Sequence, residues 1–243
     1  MELRVILLSL MTLIVVGIVF LIVYELYYGS YSDKGYSPIA PWKTEVSIID
    51  FLHLGTEFVK FDQVLPRSRN EQQGAEFSYA AWIIVDNYDY GSARPVLFVK
   101  GRPDMTMKSP AVYLTKGTNE MTILQDTYSK DQVGKVVINN LPAGKFIHLA
   151  VTLNQKSMDV YINGMIYQHL TLAALPLQNT ESVYIADNGG WSGMIGDFTY
   201  YNYMLTPGEV HNLSLKKPRR DPNDLPYYPD YLDTSWWMGR GGL

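Results

Sequence analysis

The stretch KFIHLAVTLNQKSMDVYINGMIYQHL, residues 145–170, alternates apolar and polar side chains in two runs separated by tight turns. Successive side chains of an extended chain point to opposite faces. Four apolar residues of the first run therefore share one face: Ile147, Leu149, Val151 and Leu153. Asn163 and Gly164 supply the two positive φ angles that a type I′ hairpin turn requires. The pattern predicts a three-stranded antiparallel meander.

Strand signals of the same kind lie on both sides of this meander. Short apolar runs bounded by Gly, Pro, Asn or Asp occupy residues 45–51, 76–85, 95–101, 111–117, 121–128, 135–141, 182–188 and 194–205. Many short strands with turn signals are typical of an antiparallel β-sandwich. A helical turn is predicted after them, because Thr206, Pro207 and Glu209 match a capping box with proline at the first helical position. The predicted all-β domain covers residues 44–215.

Composition excludes several classes of protein. The chain has 243 residues, of which 47% are hydrophobic, so it is long and apolar enough for one sizeable core. A formal net charge of −4 provides no overall positive field to hold nucleic acid. The chain contains no cysteine, which excludes disulfides and zinc-thiolate sites.

The amino-terminal segment VILLSLMTLIVVGIVFLIVY, residues 5–24, carries no charge. As a helix it would span roughly 30 Å, about the thickness of a bilayer core. A cleaved signal peptide is the alternative, but no small-residue cleavage site follows the segment. We therefore predict one transmembrane helix in residues 1–24, with the amino terminus on the cytoplasmic side. Residues 25–43, rich in Gly, Ser, Pro and Tyr, are predicted to form a tether.

Four motifs together resemble a known family. FSYAAWI (residues 77–83), PVLFVKG (95–101), GKFIHLAVTLNQKSMDVYINGMI (144–166) and WSGMIGDFTYYNYMLTPGEV (191–210) follow the order and spacing of a concanavalin A-like lectin/glucanase domain of the laminin-G type. The resemblance implies a jelly-roll sandwich of two antiparallel sheets. It also places His148 where the family usually has a strand histidine, and we interpret this residue as packed and hydrogen-bonded rather than catalytic. One departure is Gly196, which stands where the family has an acidic residue.

The sequence predicts that the domain is not an enzyme. Glucanases of this superfamily use a Glu-x-Asp-x-Glu strand that points two carboxylates to one face, and no such run exists in this chain. The segment GWSGM, residues 190–194, lacks the second glycine of a serine-hydrolase nucleophile elbow. The four histidines show no metal-ligand spacing.

Two residues of the loop ADNGGWSG, residues 186–193, are candidates for glycan binding. Trp191 could stack on a sugar ring, and Asn188 could hydrogen-bond to the sugar. Alternatively, Trp191 covers the edge of the sandwich, and the sequence favours this interpretation. Asp187 and Asp197 are candidate calcium ligands, although their spacing matches no known calcium loop. No other cofactor is expected.

The carboxy-terminal residues 216–243 form a separate segment rich in proline and aromatic residues. The prolines prevent a regular helix or a central strand. Exposed aromatic side chains commonly anchor protein interfaces. The predicted partner-anchoring residues are Tyr227, Tyr228, Tyr231, Trp236 and Trp237.

Two functional hypotheses follow from this organisation. A single-pass anchor joined to one such jelly roll resembles the minor capsid proteins of large icosahedral DNA viruses, which connect an internal membrane to an outer shell. The first hypothesis is therefore a membrane-anchored assembly protein of a virion, with the bilayer and neighbouring capsid proteins as partners. The alternative is a membrane-anchored, lectin-like surface protein that binds glycans. Neither hypothesis includes nucleic acid as a partner.

Overall fold

The computed structural model describes residues 11, 13, 15–20, 43–71, 74–89, 94–129 and 131–221. The chain divides into two units between Thr44 and Glu45. In the first unit, residues 11, 13 and 15–20 are helical. No helix in the described part of the chain is long and apolar enough to cross a bilayer. The remainder of the predicted anchor and tether lies outside the described residues.

The described part of the second unit contains fourteen strands followed by one helix. The strands are β1 (Glu45–Ile49), β2 (His53–Leu54), β3 (Val59–Phe61), β4 (Arg69–Glu71), β5 (Gly74–Val85), β6 (Val96–Gly101), β7 (Lys108–Leu114), β8 (Met121–Gln125), β9 (Gly134–Ile138), β10 (Ile147–Asn154), β11 (Ser157–Ile162), β12 (Met165–Thr171), β13 (Val183–Ile185) and β14 (Gly193–Tyr201). The helix α1 covers Pro207–Leu215. The short strands β2, β3 and β4 were not predicted from the sequence.

The strands form two antiparallel sheets. Sheet A has the order β1-β14-β5-β10-β11-β12, with β2 beside β14 and β4 beside β5. Sheet B has the order β3-β13-β6-β7-β8-β9. Neighbouring strands in the sheets are therefore often distant in the sequence, as in a jelly roll. The prediction of an all-β sandwich of two antiparallel sheets is confirmed.

The main core lies between the two sheets. The Phe98 ring of sheet B and the Phe198 ring of sheet A have centroids 4.4 Å apart, and Tyr79 and Tyr200 of sheet A are 5.0 Å apart. All four residues are at most 3% exposed. Full burial of a large apolar side chain stabilises a fold by about 1.5–3 kcal/mol. These rings therefore contribute much of the energy that holds the sheets together.

The predicted meander is present as β10, β11 and β12. Asn163 and Gly164 adopt φ angles of 51° and 79°, as a type I′ turn requires. The Asn163 side chain also accepts a hydrogen bond from the His148 backbone N–H at 2.8 Å. The apolar face of β10 packs into the main core, and its opposite face is buried as well, since Ala150 and Thr152 are at most 1% exposed.

Helix α1 covers the outer face of sheet A. The predicted capping box is confirmed: the Glu209 N–H donates to Thr206 Oγ1 at 3.3 Å, and the Thr206 N–H donates to Glu209 Oε2 at 2.8 Å. Val210, fully buried, packs in one cluster with Ala80 and Ala150 of the sheet. The small alanine side chains allow the helix to approach closely. This second layer explains why both faces of β10 are buried.

Candidate functional site

A cavity of about 560 Å³ opens between the two sheets at one end of the sandwich. Sheet A contributes Phe77, Tyr79 and Tyr200 to its lining, and sheet B contributes Lys100 and Ser109. Lys100, Ser109 and Tyr200 lie next to the ends of their strands, and Phe77, Tyr79 and Tyr200 also belong to the main core. Binding pockets for small molecules usually have volumes of about 300–1,000 Å³. The cavity is therefore large enough for a small ligand.

Two loop segments close the sides of this cavity. Residues 64–68 form one wall, which is held to sheet A because the Tyr200 hydroxyl donates to the Pro66 carbonyl at 3.0 Å. The opposite wall contains Gln178, whose Oε1 accepts a hydrogen bond from Ser68 Oγ at 2.8 Å. This bond joins the two walls directly. The cavity is thus built by hydrogen bonds between segments that are far apart in the sequence.

Lys100 is the central polar residue of the cavity. It is 7% exposed, and its ammonium group donates to the Glu181 carbonyl and, at 3.3 Å, to Asn179 Oδ1. The Asn179 amide donates back to the Lys100 carbonyl at 3.0 Å. Burial lowers the pKa of Lys100 to about 8, and the neighbouring Glu181 carboxylate partly opposes this shift. A buried lysine with a lowered pKa is more common at functional sites than elsewhere.

The mouth of the cavity carries an aromatic side chain and a positive charge. Tyr128 is 69% exposed, and Arg67 is exposed on the wall formed by residues 64–68. Among the described residues that line the cavity, none is Asp or Glu. The Glu181 carboxylate lies outside the lining and pairs with Arg102 at 3.3 Å. The site therefore combines an aromatic surface, amides, hydroxyls and two cationic side chains.

Trp191, predicted as a candidate for sugar stacking, is 1% exposed. Its indole N–H donates to the Ile84 carbonyl at 3.0 Å, and its backbone N–H donates to the Gly55 carbonyl at 2.9 Å. A side chain on Gly55 would lie only 2.5 Å from the indole ring, so this position requires glycine. The ring has no face open to solvent in this structure. The geometry favours the alternative in which Trp191 covers the edge of the sandwich.

Asn188, the second candidate for glycan binding, is exposed in the same loop. Its φ angle is 56°, and its side-chain amide donates to the Arg94 carbonyl at 2.9 Å. The amide therefore holds two loops together. Neither Asn188 nor Trp191 lines the cavity between the sheets.

Asp197, one of the candidate calcium ligands, fastens the carboxy-terminal segment to sheet A. Its Oδ2 accepts a hydrogen bond from the Arg219 backbone N–H at 2.9 Å, and its Oδ1 pairs with the Arg219 guanidinium. The Arg219 carbonyl accepts from the Leu52 N–H at 2.9 Å. Among the described residues, no group of three or more acidic or histidine side chains is arranged to hold a metal ion.

His148 is a buried histidine on the outer face of sheet A. It is 3% exposed, and its ring meets the Trp82 ring edge to face at 5.2 Å. Burial lowers the pKa of His148 to about 4, and the Asp197 charge partly opposes this shift. Its Nδ1 has no hydrogen-bond partner within the described part of the chain. His148 is thus a packed strand residue, as expected, but the hydrogen bond expected with this packing is not formed at Nδ1 within the described part of the chain.

The lowered pKa of His148 predicts acid-sensitive stability. Between pH 6.5 and pH 4 the unfolded chain binds a proton at this residue and the folded chain does not, so stability falls as the pH falls. The loss from this residue reaches about 3 kcal/mol at pH 4. Urea unfolding at several pH values, compared with the His148→Phe variant, measures this contribution. The same pH dependence in both proteins would contradict the assignment.

The five predicted partner-anchoring aromatics, Tyr227, Tyr228, Tyr231, Trp236 and Trp237, lie outside the described residues. Their role therefore stays a prediction from the sequence.

The architecture defines the class of protein: an antiparallel jelly-roll-like sandwich with a cavity between its sheets. The family model of the concanavalin A-like lectin/glucanases superfamily, laminin-G type, matches residues 60–211. The chain belongs to this superfamily. A search of curated proteins found no match.

Solved structures with the same fold include the binding domains of two neurotoxins. The receptor binding domain of botulinum neurotoxin D aligns with a TM-score of 0.52 and 11% identity, covering 71% of this chain and 47% of that one. The binding domain of botulinum neurotoxin serotype G aligns with a TM-score of 0.51 and 12% identity, covering 70% and 50%. The chain thus spans about half the length of these structures. Identities this low show a shared fold.

Proposed function

We propose that the domain is a non-catalytic, lectin-like module that binds a saccharide in the cavity between its two sheets. The observation that carries the proposal is the composition of this cavity. Tyr128 offers an amphipathic aromatic face at the mouth, and Gln178, Asn179 and Ser109 offer amide and hydroxyl groups inside. Saccharides present both apolar ring faces and hydroxyl groups, which such a lining complements.

The absence of carboxylates from the described lining supports binding without catalysis. Glycosidases commonly use two carboxyl groups, about 5–10 Å apart, as acid and as base or nucleophile. The described lining instead contains the Lys100 ammonium, the Arg67 guanidinium and neutral groups. Membership of a superfamily that includes both lectins and glucanases agrees with either activity, and the composition of the described lining supports binding.

A test of this proposal uses the aromatic residue at the mouth. The full chain, purified in detergent, is applied to a glycan array, and the affinity for each retained saccharide is measured by calorimetry. Replacing Tyr128 with alanine is expected to weaken binding at least about tenfold, because aromatic contacts commonly contribute more than 1.4 kcal/mol. Tyr128→Phe, which keeps the ring, should retain most of the affinity.

The Tyr167→Ala variant is the control for non-specific effects. Tyr167 is 43% exposed on β12 and does not line the cavity. Its replacement should leave the affinity unchanged. Equal losses in the Tyr128→Ala and Tyr167→Ala variants, or no retained glycan at all, would contradict the proposal.

A second candidate function is assembly of a membrane-containing virion, as the sequence suggests. The observation in its favour is the attachment of Arg219 to Asp197 and Leu52, which fixes the backbone immediately before the aromatic segment. An attached segment with paired tryptophans suits a docking arm. Stoichiometric recovery of the chain in purified particles, lost on replacement of Trp236 and Trp237 with alanine, would support this candidate. Recovery independent of both tryptophans would contradict it.

A further inference from the structure

The charged side chains in the described lining of the cavity are all positive. Lys100 lies inside and Arg67 lies at the mouth, and no acidic residue is among the described lining. The carboxylate whose charge acts on Lys100 is that of Glu181, which also pairs with Arg102. Tyr79 and Tyr200, which also line the cavity, have phenol pKa values raised by burial and are neutral. The described lining therefore carries a net positive charge, which the Glu181 carboxylate opposes in part at Lys100.

Two hydrogen-bond donors inside the cavity retain unused capacity. An ammonium group has three donor hydrogens. Lys100 uses two of them, on the Glu181 carbonyl and on Asn179 Oδ1. Ser109 Oγ accepts from the Gln125 amide at 3.1 Å, while its own hydroxyl hydrogen has no acceptor among the described residues. Both remaining hydrogens belong to groups that line the cavity.

We infer that the ligand of this cavity is an acidic saccharide, whose anionic group binds the Lys100 ammonium and the Ser109 hydroxyl. The inference rests on the proposed saccharide-binding function and specifies its ligand class. Arg67 at the mouth attracts the anion, and Tyr128 contacts the sugar ring. Charge-assisted hydrogen bonds in a desolvated site are about twice as strong as neutral ones, so the anionic group determines specificity.

The titration of Lys100 supports this assignment. Removing water from the ammonium lowers its pKa to about 8, which shows that burial is not fully compensated by the protein. A bound anion would supply the missing compensation and raise the pKa. Ligand binding at pH 8 should therefore be accompanied by uptake of about half a proton per ligand, because half of the free Lys100 side chains are already protonated at that pH.

The test compares three probes by calorimetry with the full chain in detergent: D-glucuronate, D-glucose and inorganic sulfate. Glucuronate and glucose differ only in the group at C6, so glucose is the neutral control. Binding of glucuronate alone supports the inference and the proposed function together. Equal binding of glucuronate and glucose overturns the inference and retains the saccharide function. Equal binding of glucuronate and sulfate retains the anion site and overturns the saccharide function. No binding of any probe overturns both.

Two further measurements make the inference independent of a single variant. Lys100→Met should weaken glucuronate binding at least about thirtyfold, as expected when one partner of a buried charge pair is lost. Thermal unfolding of this variant shows whether the fold is retained. For the unmodified chain, glucuronate affinity should fall about tenfold per pH unit above pH 8, where Lys100 loses its proton. Constant affinity from pH 7 to pH 10 would overturn the role of Lys100.

Discussion

Replacing Trp191 with alanine is expected to lower the free energy of unfolding by about 3–5 kcal/mol, the range for a fully buried tryptophan. The indole ring is 1% exposed and belongs to the main core. The variant also loses the hydrogen bond from the indole N–H to the Ile84 carbonyl. Chemical denaturation of the full chain, followed by circular dichroism, measures the change.

The Tyr128→Ala variant is the matched control for this experiment. Tyr128 is 69% exposed, so its loss should change the free energy of unfolding by less than about 0.5 kcal/mol. The Trp191→Ala variant is therefore expected to lose stability, and the Tyr128→Ala variant is expected to lose ligand affinity. A Trp191→Ala protein that is fully stable but does not bind glycans would restore Trp191 as the sugar-stacking residue.

The second large effect is expected at the hairpin turn. Gly164 has a φ angle of 79°, which a β-branched residue adopts only with strain of about 1–3 kcal/mol. A side chain at this position would also lie 3.1 Å from the His211 Cα and 2.3 Å from Ser214 Oγ, both in helix α1. Overpacking commonly costs a further 1–3 kcal/mol. Gly164→Val should therefore destabilise the domain by about 4 kcal/mol.

Gly144 provides a control for the contact with helix α1. Its φ angle is 65°, but a side chain there would meet no atom within 4 Å. Gly144→Val should show only the backbone strain, about 1–3 kcal/mol. The difference between the two variants measures the packing of the turn against α1. Equal destabilisation would show that the helix does not contact the turn.

Local sequence signals predicted most of the sandwich. The alternation in residues 145–170 and the Asn163-Gly164 pair depend only on neighbouring residues, and both are present in the structure as β10, β11 and β12. The capping box at Thr206 is equally local. Strands β2, β3 and β4 contain two or three residues each, too few for a periodic pattern. β2 pairs with β14 and β3 pairs with β13, which are distant in the sequence, whereas β4 pairs with the adjacent β5.

The cavity could not be predicted from any single motif, because its lining comes from segments more than 100 residues apart. Ser68 and Gln178 meet across it, for example. In the sequence, Lys100 is a charged residue at the end of a predicted strand. The one available signal was the alternation of side chains along the strand. Phe98 lies on the inward face, so Lys100, two residues later, lies on the same face. The sequence predicted a glycan site in the loop that contains Trp191, because the glycines and amides of this loop are adjacent in the sequence.

The most direct test of the account is a structure of the full chain in complex with a saccharide retained on the array. The account predicts that the sugar lies between the sheets, with one ring face against Tyr128 and an anionic group at the Lys100 ammonium. A sugar bound at the loop of Asn188, with the cavity between the sheets empty, would contradict it.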